Sequence, residues 1–92
     1  MSASSDEAVC RTVVLPAGVD LHARPAGEVV RAAAGLETRV ALRANGREAN
    51  AASILQVLAL GAIGGSEIAV EASGASADAA VAAIADLIAS LR

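Results

Sequence analysis

The chain has 92 residues, 55% of them apolar, and a formal net charge of −3. It contains no Phe, Tyr or Trp, and its seven cations are all arginine, spread along the sequence. That argues against nucleic-acid binding, which needs a basic face and often aromatic platforms for the bases. A single cysteine, Cys10, and a single histidine, His22, allow no intramolecular disulfide and no Cys/His zinc site built from this chain alone.

Residues 1–7 are small and polar, and fraying is expected there. They lack the basic and apolar regions of a secretory signal. No apolar stretch reaches the roughly 18 residues of a membrane span, so a cytoplasmic protein is expected. Val9 to Leu15 is rich in β-branched residues and predicts a strand. Cys10 lies within it and is expected to be a buried small side chain, the usual state of a free cysteine. Pro16 to Asp20 breaks the strand into a loop. A helix follows from Ala23 to about Ala34, with Pro25 in the first turn, where its missing N–H costs nothing. Ala26, Val29, Val30, Ala33 and Ala34 form its thin apolar face, and Gly35 is a natural C-terminal stop.

Glu37 to Arg43 alternates. Thr38, Val40 and Leu42 point one way and Arg39, Ala41 and Arg43 the other, which predicts a strand with one wet face. Asn45-Gly46 is a strong hairpin signal, with a short strand returning from Arg47 to Asn50 or Ala51. Ser53-Ile54-Leu55-Gln56 has the capping-box form and predicts a short helix from Ser53 to about Leu60, stopped by Gly61. That helix is apolar nearly all round. Val57 and Leu60 are expected to face the core, while Ile54, Leu55 and Leu58 share another arc, either open to a partner or covered by the Gly64-Gly65 loop. Gly61 to Ser66 is glycine-rich, but a chain without lysine has no P-loop, and the segment reads as a turn.

Glu67 to Glu71 alternates with Ile68 and Val70 inward, a fourth strand. After a turn at Ser73-Gly74-Ala75, Ser76 is a candidate N-cap, with Asp78 suiting the helix dipole. Val81, Ile84, Leu87, Ile88 and Leu91 recur at helical spacing. The order is βαββαβα. Strands that alternate polar and apolar imply an α+β fold, an antiparallel sheet with helices on one face.

The chemistry concentrates in Asp20-Leu21-His22-Ala23-Arg24-Pro25-Ala26-Gly27. A helix start presents unpaired N–H groups and a partial positive charge, which favour an anion and disfavour a cationic imidazole. A nucleophilic imidazole there can carry a phosphoryl group, and Arg24 can pair with its oxygens or with a partner carboxylate. On position alone, a surface histidine without a task is an equal reading. The chain has no visible catalytic dyad, metal cluster or nucleotide pocket, and no cofactor is expected.

Leu21-His22-Ala23-Arg24-Pro25-Ala26 opening the first helix, Asn45-Gly46 in the hairpin, and Asn50-Ala51-Ala52-Ser53-Ile54 leading into a short helix ending Leu60-Gly61 resemble HPr. This is the histidine-containing phosphocarrier family of the phosphoenolpyruvate-dependent sugar phosphotransferase system. The resemblance spans nearly the whole chain in order and spacing, and treats residues 1–92 as one domain. It implies an open-faced β-sandwich, a four-stranded antiparallel sheet in the order 1-4-2-3 under three helices.

By the same resemblance His22 is phosphorylated on Nδ1 by phosphorylated enzyme I and passes the group to enzyme IIA components of sugar permeases. The protein is then a monomeric carrier rather than an enzyme. Arg24 assists transfer and docks partners. Ala23, Gly27, Ile54, Leu55 and Leu58 form the docking surface. Ser53 matches a position where some relatives carry a regulatory phosphate, added and removed by a serine kinase/phosphorylase, although its place in the capping box explains it equally. The alternative is a regulatory paralogue, of the nitrogen branch or under kinase control, acting through protein contacts. Two features depart from the family pattern. Val19-Asp20 stands where a small pair such as Asn-Gly is common before Leu-His, so a carboxylate is expected to repel phosphate. Gly27 lies within a helix at a cost of about 1 kcal/mol relative to Ala, and its missing side chain allows close approach of a partner.

Overall fold

The β-branched run at the start of the chain becomes β1, Ala8–Val14, in a computed structural model that describes residues 8–92. The remaining elements are α1 (Ala23–Ala34), β2 (Ala41–Ala44), β3 (Arg47–Asn50), α2 (Ile54–Ala59), β4 (Glu67–Ser73) and α3 (Ala77–Ala89). The strands form one sheet in the order β1-β4-β2-β3, with every neighbouring pair antiparallel. Leu42, Val70, Ile68 and Ala49 turn inward beneath the helices and are fully or nearly fully buried, while Thr12, Arg43, Glu48 and Glu67 are exposed on the open face. Val29 of α1, Val57 of α2 and Val81, Ile84 and Ile88 of α3 close the core from the other side. No charged or polar residue is buried among those described. Nor do the described residues include a helix long and apolar enough to cross a membrane.

Local signals decide most boundaries. Asn45 (φ 55°) and Gly46 (φ 73°) both take left-handed conformations, as a type I′ hairpin turn requires. Ser53 caps α2, its Oγ accepting the Gln56 N–H at 3.3 Å. Only half of the capping box forms, because the Gln56 side chain reaches past Ser53 to accept the Asn50 N–H at 2.8 Å. The Ser53 N–H is already bonded to the Asn50 carbonyl. Ser76 holds the N-cap position of α3 without a side-chain hydrogen bond. Gly35 does end α1, but with φ −82° rather than a left-handed turn. The N–H groups of Gly35 and Leu36 bond back to Ala32 and Ala33, a tightened last turn that satisfies the end of the helix.

Three expectations are corrected. The second strand begins at Ala41 rather than Glu37, and Glu37 and Thr38 form a bend. Its partner on one side runs out: Ala41 pairs with Asn50, the last residue of β3, whereas β4, paired through Glu71, runs on to Ser73. Ala34 is exposed and leaves the apolar face of α1 to Ala26, Val29 and Ala33, with Val30 half-buried against the core. Cys10 is exposed, not buried. It pairs with Glu71 and shares the open face, whereas Val9 and Val13 take the helix side of this edge strand. Arg11 has the parity of Val9 and Val13, and its guanidinium reaches Asp86 on α3 at 3.6 Å.

Candidate functional site

His22 is the N-cap of α1, in an extended conformation (φ −85°, ψ −168°), and its exposed side chain makes no capping bond. Its position is set by its neighbours. Leu21 is 3% exposed and Ala26 is fully buried, so an apolar residue on either side of the first turn staples the helix start to the core. The Leu21 N–H donates to the Ala62 carbonyl at 2.9 Å, and the His22 N–H to the Asp20 carbonyl at 2.8 Å. The first intrahelical bond runs from the Ala26 N–H to the His22 carbonyl at 2.9 Å. Pro25 has no N–H. The N–H groups of Ala23 and Arg24 therefore stand without an acceptor among the described residues, beside the imidazole and at the positive end of the helix dipole.

A shallow cleft of about 430 Å³ opens here, lined by Gly18, Val19, Asp20, His22, Arg24 and Arg92 among others. Arg24 lines it, but its guanidinium is engaged. It pairs with Glu28 at 2.7 Å, one helical turn on, and donates to the backbone oxygen of Arg92. The Arg24 side chain is 63% exposed, and an exposed i,i+4 pair is worth only about 0.3–0.5 kcal/mol. Releasing the Glu28 pair so that Arg24 can turn toward an anion on His22 is therefore cheap. A larger concavity, about 540 Å³, is lined by Arg39, Glu48, Asn50, Gln56 and Glu71 among others and does not include His22.

α2 packs against α1 and β3. Val57 and Leu60 face the core at 0% and 2% exposure, while Ile54, Leu55 and Leu58 are exposed at 38%, 77% and 37%. This decides the question the sequence left open: the surplus arc is uncovered. Ala23 is exposed and Gly27 half-buried on α1. Ser53 is half-buried at the head of α2. The structure also adds residues that the sequence reading passed over. Ile63, 59% exposed, stands out of the loop taken as a plain turn; an isoleucine set between small residues and glycines was its one signal. Asn45 donates through Nδ2 to the Leu60 and Gly61 carbonyls at 2.8 and 3.2 Å, and Arg47 donates to the Ala59 carbonyl at 3.3 Å. These two hairpin side chains cap a helix of only six residues.

The family model described as the PTS HPr component phosphorylation site matches residues 9–90. The chain belongs to the HPr family. It is 47% identical over 70 residues to the phosphocarrier protein HPr of Streptomyces coelicolor, covering 75% of each chain. Against the HPr of Mycoplasma capricolum it is 38% identical over 66 residues, covering 72% of this chain and 74% of that one. The crystal structure of HPr from Bacillus anthracis superposes with a TM-score of 0.82 at 28% identity, over 88% of this chain and 96% of that one. The open-faced sandwich is thus the HPr fold, and the family carries phosphoryl groups in the phosphotransferase system.

Proposed function

We propose that this HPr-family phosphocarrier takes a phosphoryl group on Nδ1 of His22 from phosphorylated enzyme I and hands it to a sugar-specific enzyme IIA. The observation that carries the reading is the exposed imidazole at the N-cap of α1, beside two unpaired N–H groups. In the transfer, the Nδ1 lone pair attacks phosphorus in line with the donor nitrogen. The new N–P bond forms as the donor N–P bond breaks, and the donor imidazole recovers its electron pair. The Ala23 and Arg24 N–H groups and the freed Arg24 guanidinium receive the phosphoryl oxygens. None of these groups binds so deeply that the phosphoramidate is trapped, and onward transfer is the same step in the other direction. The protein is consumed and regenerated stoichiometrically, as a carrier is, and catalysis comes from its partners.

Transfer between two histidines needs an open site with a surface on which a partner can seat. Ile54, Leu55 and Leu58 on α2, with Ala23 and Gly27 on α1, supply that surface. Ser53 lies at its edge, and a phosphate there would suit the helix end while adding negative charge to the patch.

The test is incubation with phosphoenolpyruvate, magnesium and enzyme I. The expected product is an acid-labile, base-stable phosphate on the wild type and none on His22→Ala. A wild type that takes no label refutes the reading. Delivery of the group to a sugar IIA supports the transport role; delivery only to a nitrogen-type IIA overturns it in favour of the regulatory branch.

A further inference from the structure

The loop that carries His22 has no regular structure between Leu15 and Leu21. Its two ends are fastened by backbone bonds to the α2–β4 loop. The Leu15 N–H donates to the Ser66 carbonyl at 2.9 Å, the Gly65 N–H to the Leu15 carbonyl at 2.7 Å, and the Leu21 N–H to the Ala62 carbonyl at 2.9 Å. Between these ends one side chain crosses: Asp20 Oδ1 accepts the Gly64 N–H at 2.9 Å, from 44 residues away. Gly64 is where the two loops touch. A Cβ there would lie 2.6 Å from the Gly18 nitrogen, 2.8 Å from the Pro16 oxygen and 3.1 Å from the Val19 nitrogen. Gly64 is not among the positive-φ glycines, so this glycine is demanded by proximity alone. The missing side chain at 64 lets the backbones meet, and the acceptor at 20 satisfies the donor that the contact half-buries.

We infer that Asp20 is a positioning residue for phosphoryl transfer at His22, acting as a hydrogen-bond acceptor that holds the His22 loop on Gly64. Asp20 is gripped at both of its ends. Its carboxylate binds Gly64, and its own carbonyl accepts the His22 N–H. Any rotation of residue 20 is therefore passed to the backbone of His22. In-line transfer is sensitive to such shifts, since a displacement of ~1 Å costs on the order of 100-fold in rate. The carboxylate expected to repel phosphate is engaged with a backbone donor. The inference rests on His22 being the phosphoacceptor, and it goes beyond that reading by giving a task to a residue that breaks the family pattern.

The experiment compares wild type, Asp20→Asn and Asp20→Ala. The rate of phosphoryl transfer from phosphorylated enzyme I is followed by rapid quench over a range of donor concentrations. Exchange of the Gly64 amide hydrogen is followed by NMR, and urea denaturation verifies that each variant is folded. Asn retains an oxygen acceptor and loses the charge. The expected result is a Gly64 amide protected in wild type and Asp20→Asn but not in Asp20→Ala. Transfer at saturating donor should stay within about twofold for Asn and fall about tenfold for Ala, with little change in KM. Equal rates in wild type and Asp20→Ala overturn the proposal. So does an Asn variant as slow as Ala, which would assign the effect to charge, or a rise in KM alone, which would assign it to docking. A wild type without phosphohistidine at His22 removes the phosphoacceptor reading and this proposal with it, even if the Gly64 amide is protected.

Discussion

Gly64→Ala is the sharpest single test of how the site is held. The new methyl would stand 2.6 Å and 2.8 Å from two backbone atoms of the facing loop, where ordinary contact begins at 3.4 Å. Neither neighbour is a flexible side-chain tip, so the chain itself must give way by about 0.6–0.8 Å, the difference between those distances. Overpacking of this kind costs about 1–3 kcal/mol. The displaced segment runs directly into Asp20 and His22, so the expected loss in transfer rate is about tenfold or more. A matched control is Gly74→Ala. Gly74 has φ +104° in the turn after β4, so alanine there is strained by a similar ~1–3 kcal/mol without touching the His22 loop. Urea denaturation and rapid-quench transfer from phosphorylated enzyme I should show both variants destabilised but only Gly64→Ala slowed. If Gly64→Ala matches the wild type, or if the two variants slow transfer equally, the contact does not position His22.

Leu55 is 77% exposed, so Leu55→Asp should change stability by no more than about 0.5 kcal/mol. Its transfer from enzyme I should nonetheless fall, chiefly through a higher KM, and unchanged kinetics would remove α2 from the docking surface. Asn45→Gly keeps a residue suited to φ 55° but deletes the bonds to the Leu60 and Gly61 carbonyls. It should lower unfolding stability by about 1–2 kcal/mol, and an unmoved urea midpoint would show the cap to be idle. Gly27→Ala meets only the Arg31 Nη1 at 3.5 Å and should raise stability by about 0.5–1 kcal/mol, visible as a higher melting temperature. If partners seat on Gly27, the same variant transfers more slowly; a stabilised protein with unaltered transfer kinetics would take Gly27 out of the docking surface.

The elements were legible because their causes are local. Alternation marked β4 and the inward face of β2, and helical spacing marked α3. Asn45-Gly46, Ser53 and Pro25 each ask something of one or two dihedrals that their own chemistry supplies. His22 and Arg24 could be picked out because a helix start is a local object, and the motif around them carried the family and with it the order of the strands.

Tertiary structure decided whatever depends on a neighbour. Where β2 begins is set by where β3 stops. Cys10 is exposed because register places it on the uncovered face of an edge strand, although its sequence surroundings resemble those of a core residue. Whether Ile54, Leu55 and Leu58 are covered depends on what lies over α2, and periodicity along the helix does not contain that. Arg24 is occupied by Glu28, which helical spacing allowed, and by Arg92, which it did not. Asp20 is the clearest case. Beside His22 in sequence it reads as a misplaced charge; in space it meets the N–H of Gly64, 44 residues on. A sequence specifies its short-range geometry residue by residue, but the partner of a hydrogen bond between two loops exists only once the sheet beneath them has brought the loops together.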